Sequence, residues 1–194
     1  MKQSKMKTKD LIVAGAFLAL YCVVSMVVII ALGFVPITFL LVPIITPIAV
    51  GPVFSLYLVK VPKFGAVLIL GLIVTLLANS TGYIPGIVFG VIVTLMAELI
   101  AWLGKYKSKK MFIISYMLFA TLYATPHMMI TFSRDAFMAT TVEISGQEFT
   151  DALAAIAPSW IFYALIVGAL VAGLIGGIFG QKVMKKHFEK AGVC

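Results

Sequence analysis

The sequence predicts an all-α, polytopic membrane protein of six transmembrane helices in a single domain. Of its 194 residues, 62% are hydrophobic and 11% charged, with a mean hydropathy of +1.14. Soluble domains are about 45–50% apolar and about 25% charged. The apolar residues fall into runs long enough to cross roughly 30 Å of hydrocarbon, which takes about 20 residues per helix. Between the runs stand clusters of lysine. This pattern excludes a water-soluble enzyme. A net charge of +8 gathered on one soluble patch would suggest a nucleic-acid partner; divided among loops, it suggests none. The two cysteines, Cys22 and Cys194, form neither a disulfide framework nor a metal motif.

The first run, residues 11–32, follows Lys2, Lys5, Lys7 and Lys9, with Asp10 placed to cap the helix start. It is too long for a signal-peptide core and no polar mature sequence follows, so it is expected to be an uncleaved span. The second run, residues 35–59, carries no charge but contains Pro36, Pro43, Pro47 and Pro52, so it crosses once with kinks. Lys60 and Lys63 close it. No basic residue follows until Lys105, and the breakers from Asn79 to Pro85 divide that stretch into spans 64–78 and 85–103. The first of these covers only about 22 Å at 1.5 Å per residue.

Lys105, Lys107, Lys109 and Lys110 precede the fifth span, residues 111–132, and a polar loop leads to the last, residues 160–180. In that loop Ser145 and Glu148 have capping-box spacing, and Phe149, Leu153 and Ile156 share one face. A short amphipathic helix ending at Pro158 is expected there, either shielding the bundle or acting as a substrate lid. With six spans, the lysine clusters hold 14 of the 15 basic residues on one side. Arg134 lies opposite, among Asp135, Glu143, Glu148 and Asp151. The positive-inside rule then places both termini in the cytoplasm, with the protein in the cell membrane.

Catalytic and nucleotide motifs are missing: there is no P-loop, HExxH, GxSxG or GxGxxG. His127 and His187 cannot build a multi-histidine metal site in the membrane. No enzymatic activity, resident metal or cofactor is expected. Small residues at four-residue spacing mark close helix packing. In the last span, Gly168, Ala172, Gly176 and Gly180 form one set and Ala169, Gly173 and Gly177 another, mostly for packing inside the bundle. In the first, Gly15 and Ala19, flanked by Ala14 and Ala16, leave a groove suited to a partner helix.

Tyr116, Tyr123, His127 and Arg134, spaced 7, 4 and 7 apart, fall on one face of a continuous fifth helix. Lipid penalises such a face, so it should look into the bundle, where rings, an imidazole and a guanidinium suit an aromatic or anionic small molecule. The alternative is structural, with Arg134 paired to Asp135 or Glu143 and His127 to a backbone carbonyl. The expected site lies in the outer half, lined by Asn79, Tyr83, Tyr123, His127, Arg134, Trp160 and Tyr163. It favours a vitamin-like molecule over a bare metal ion, which would want several imidazole, carboxylate or thiolate ligands. Glu98 lies seven residues before Lys105, near the cytoplasmic boundary, and reads as a structural or docking carboxylate rather than a proton relay.

Several short segments together carry a resemblance: Met6-Lys-Thr-Lys-Asp10, the Gly15 and Ala19 pair, Lys60-Val-Pro-Lys63-Phe-Gly65, Gly104-Lys-Tyr-Lys-Ser108 and Lys185-Lys-His-Phe-Glu-Lys-Ala-Gly192. The chain resembles the Treponema and Streptococcus family of six-helix membrane proteins, grouped with the substrate-binding S-components of energy-coupling factor (ECF) ABC transporters. The resemblance implies an S-component bundle with an outward pocket. It also implies docking of the first helix onto a transmembrane coupling subunit served by two cytoplasmic ATPases. The docking motif of that family is a pair of alanines, which Gly15 and Ala19 match with one glycine replacement. A self-contained carrier or channel is the competing expectation.

Overall fold

The computed structural model describes residues 6–184. The closing motif from Lys185 onward, and the lysines at 2, 5, 186 and 190, lie outside them. Among the described residues the chain is entirely helical, without strands. Four helices are long and apolar enough to cross a membrane: α1 (Thr8–Gly33), α2 (Pro36–Lys60), α4 (Ile84–Leu103) and α9 (Ile161–Val183). Between them lie α3 (Ala66–Ala78), α5 (Lys109–Ala120), a 3₁₀ turn (Thr121–Ala124), α6 (Met128–Phe132), α7 (Arg134–Ser145) and α8 (Gln147–Ile156).

Local chemistry sets the ends of these elements. The Asp10 carboxylate caps α1 from within its first turn rather than from the N-cap position, which is Lys7: it accepts the Lys7 N–H at 2.7 Å and pairs with Lys63 at 2.5 Å. Pro36 occupies the first turn of α2, where its missing N–H costs nothing. The start of α3 has no side-chain cap of its own, because its N-cap is Gly65, held at φ +98°. Its cap comes from another helix: Glu98 of α4, 1% exposed, accepts the Leu68 N–H at 2.9 Å and a hydrogen bond from the Tyr106 hydroxyl. A carboxylate there also meets the positive end of the α3 dipole. Glu98 is therefore structural.

Packing follows the small residues. A Cβ on Gly51 of α2 would lie 2.6 Å from the Gly176 carbonyl carbon, and one on Gly173 2.7 Å from Met117 Cα. The first small-residue set of α9 thus faces α2 and the second faces α5, an arrangement that larger side chains would prevent. Inside, Phe54, Tyr57, Tyr116 and Phe119 form a buried aromatic layer.

The fifth span departs from expectation. Residues 111–132 do not form one helix: α5 stops at Ala120, tightens into a 3₁₀ turn, and resumes only at Met128. Pro126 is the physical reason: it has no N–H for the Leu122 carbonyl, which takes the Thr125 N–H at 3.2 Å and the Thr125 hydroxyl at 2.8 Å instead. Tyr116, Tyr123, His127 and Arg134 therefore share no continuous helical face. The polar loop that follows also differs. It contains two helices, and α8 begins after Gly146, so Ser145 ends α7 and no capping box forms with Glu148. Leu153 is buried, Phe149 half-buried and Ile156 exposed.

The lysine-bearing helix ends converge. Lys63 meets Asp10, Tyr106 reaches Glu98 beside the start of α3, and Gln181 of α9 donates to the Lys109 carbonyl at 3.0 Å. The start of α1, the end of α2, the α4–α5 loop and the end of α9 thus form one basic end of the bundle.

Candidate functional site

At the other end lies a cavity of about 400 Å³, within the range of small-molecule sites. Cys22, Ser25, Met26 and Ile29 of α1 form one wall, and Phe39 and Val42 of α2 another. Val74, Leu77 and Ala78 of α3, with Ser80, close a third side, and Tyr123, Pro126 and His127 complete it. Its surface is mostly apolar and includes no charged side chain.

Polar order comes from the broken fifth segment. The Tyr123 hydroxyl and Ser25 Oγ share a buried hydrogen bond of 2.6 Å. His127 is 2% exposed, stacks near Phe39 with ring centroids 4.8 Å apart, and has Nε2 3.3 Å from the Phe39 carbonyl. That carbonyl is available because residue 43, which would close the helical hydrogen bond to it, is proline. A carbonyl only accepts, so Nε2 carries the proton. In that tautomer Nδ1 is an acceptor, buried without a well-formed hydrogen bond and facing the Tyr123 backbone carbonyl.

The turn that presents His127 is fixed from α3. Asn79, 3% exposed, donates to the Thr75 carbonyl and to Thr125 Oγ1, both at 2.9 Å, while Thr125 donates to the Leu122 carbonyl at 2.8 Å. Asn79 Oδ1 is also buried without a partner.

Of the seven expected site residues, Tyr123 and His127 line the cavity and Asn79 braces it. The other four are elsewhere. Tyr83 is the half-buried N-cap of α4. Arg134 begins α7 and donates to the Ala157 and Ala154 carbonyls at 2.7 and 3.0 Å, satisfying the C-terminal end of α8 rather than pairing with Asp135 or Glu143. Trp160 and Tyr163 are 60% and 57% exposed, and Tyr163 packs edge-on against Phe132 and Phe162. Ser25, Cys22 and Phe39 were not anticipated. A serine within an apolar run, and a residue four before an internal proline, were the available signals.

In the small-residue group of α1, Ala14 is buried in the core, whereas Gly15, Ala16 and Ala19 are exposed. Nothing lies within 4 Å of a Cβ placed on Gly15. Packing within this chain does not require that residue to be small.

Residues 8–190 match the family model Trep_Strep, described as a hypothetical bacterial integral membrane protein. No curated protein and no solved structure matches the chain. With nearly its whole length covered, an all-helical fold and four helices suited to a bilayer, the chain belongs to the Trep_Strep family of bacterial integral membrane proteins.

Proposed function

We propose that this protein is a substrate-capturing subunit of the S-component type, serving an ECF importer. In this scheme it crosses the cell membrane six times. The fifth crossing is built from α5, the 3₁₀ turn and α6, and the shorter third crossing from α3. Both termini and the basic end are cytoplasmic. The cavity then opens in the outer half, with α7 and α8 above it. The exposed Gly15, Ala16 and Ala19 face of α1 docks a transmembrane coupling subunit, which two cytoplasmic ATPases energise.

The observation that carries this reading is the cavity itself, lined by Tyr123 and His127 at one end of a bundle whose sequence has no nucleotide-binding motif. The ligand that suits it is a small, largely apolar, ring-bearing molecule. An anionic ligand suits it less well, because the lining holds no cation and Arg134 is engaged on α8. A self-contained channel is disfavoured by the buried layer of Phe54, Tyr57, Tyr116 and Phe119 between the cavity and the basic end.

The test is to purify the full chain from its native membranes and identify the small molecule that accompanies it by mass spectrometry. A ligand whose retention falls about 10-fold or more in Tyr123→Phe or His127→Ala supports the site, since a buried group left unpaired costs about 1–3 kcal/mol. A ligand retained equally by both variants rejects it.

A further inference from the structure

A second and larger cleft, of about 570 Å³, lies at the basic end, far from every residue of the cavity just described. It opens where the end of α2, the start of α5 and the end of α9 meet. Its two halves differ chemically. Val59, Phe112, Ile113 and Ile178 give it apolar walls along three helices. Lys107, Lys109 and Lys182 stand at its rim with Ser108 and Gln181. All three lysines are exposed, and none makes an ion pair among the described residues.

The rim is held in place rather than loosely draped. Lys105 and Tyr106 both adopt left-handed backbone angles, φ +52° and +54°, which are unfavourable for side-chain-bearing residues and persist only where neighbours enforce them. Here the Tyr106 hydroxyl donates to buried Glu98, and the Tyr106 N–H bonds the Ala101 carbonyl at 3.0 Å. Burial, and then the bond to the carboxylate, push the phenol well above its usual range, so it remains a donor. The chain next turns into α5, capped by Ser108 accepting the Met111 N–H. The first amides of α5, which carry the positive end of its dipole, thus open beside Lys107 and Lys109.

We propose that this cleft binds the headgroup of an anionic phospholipid, with the phosphate among Lys107, Lys109 and Lys182 and an acyl chain along Phe112, Ile113 and Ile178. Charge complementarity selects an anion, and basic pockets between membrane helices hold such headgroups. The apolar walls select a lipid over a free anion, because inorganic phosphate would leave them uncovered. The cleft also lies at the helix ends, at the depth where a headgroup meets its chains.

The experiment uses the purified full-length protein in a neutral detergent and follows its melting temperature, with bound lipids counted by native mass spectrometry. Phosphatidylglycerol is expected to raise the melting temperature and remain bound, whereas phosphatidylcholine and inorganic phosphate do neither. In Lys107→Gln/Lys182→Gln the affinity for phosphatidylglycerol should fall about 10- to 30-fold. In Lys9→Gln/Lys110→Gln, which removes the same charge at the same end but outside the cleft, it should hold. Melting of both variants without lipid checks their folding. Four results would each overturn the proposal: equal loss in the two variants, equal retention in both, an equal shift with phosphatidylcholine, or a shift reproduced by phosphate alone. The outcome does not depend on whether the outer cavity holds a transported substrate.

Discussion

Glu98 offers the sharpest test of how the bundle is held together. It is the sole carboxylate within α4, and it closes the start of α3 by accepting the Leu68 N–H while fixing Tyr106 of the α4–α5 loop. Glu98→Ala removes both acceptors and leaves the Leu68 N–H without a partner in a poorly hydrated region. Hydrogen bonds to a charged group contribute about 1.5–3 kcal/mol each, and an orphaned donor costs about 1–3 kcal/mol. Because Tyr106 sits in a loop and can turn to water, the expected loss is about 3–5 kcal/mol. At about 2–4 °C per kcal/mol for chains of this length, the melting temperature in detergent should fall by about 10 °C. Glu98→Gln keeps one amide oxygen for Leu68 and should lose about 1–2 kcal/mol. Tyr106→Phe should fall between them, and its effect should largely disappear in the Glu98→Ala background. If Glu98→Ala melts within about 2 °C of wild type, or if the glutamine variant is as damaged as the alanine variant, the inter-helix cap is not what holds α3.

Four other outcomes are expected. Gly176→Val should prevent stable folding, because its Cβ would meet α2 backbone at Pro47 and Ile48; Gly15→Leu should melt like wild type yet abolish assembly with the proposed coupling subunit and the proposed transport, and normal uptake by that variant would move the docking face elsewhere. Arg134→Ala should increase amide exchange across α7 and α8 while leaving ligand retention unchanged, since its guanidinium bonds α8 carbonyls; a selective loss of ligand would return Arg134 to the site. The Lys63 ammonium, with the Lys7 amide, holds the Asp10 carboxyl below its usual 3.8, so its small contribution to stability is present above that pH and fades as pH falls through the lowered folded value. The melting difference between wild type and Asp10→Asn should therefore be visible at neutral pH and vanish in acid, and a difference that grows in acid would contradict the pairing.

How much was readable beforehand depended on whether a feature was local. Asp10 and the glycine sets of α9 act on near neighbours or through close approach, and their roles were visible in spacing alone. The convergence of the lysines followed from counting helices. The site was less legible because its parts come from different helices. Tyr123 and His127 were singled out by helical spacing, although Pro126 breaks the helix that spacing assumed. Arg134 was misplaced for the same reason: once α5 ends early, position 134 begins a new helix and faces α8. Ser25 and Phe39 face the cavity because α1 and α2 pack there, which no periodicity announces. The Glu98 cap joins residues thirty apart, so the short apolar α3 gave no hint of where its cap would come from.

The proline at position 43 has an effect one turn away from itself. By withholding an amide hydrogen it exposes the oxygen of Phe39, and an imidazole from a distant part of the chain settles on that oxygen. In a protein so poor in ionic side chains, recognition chemistry can thus be written into the main chain by omission. A survey of side chains alone would pass over it. Pro43→Ala, which alters no residue lining the cavity, would restore the missing donor, compete for the same oxygen, and release His127 to choose a different tautomer.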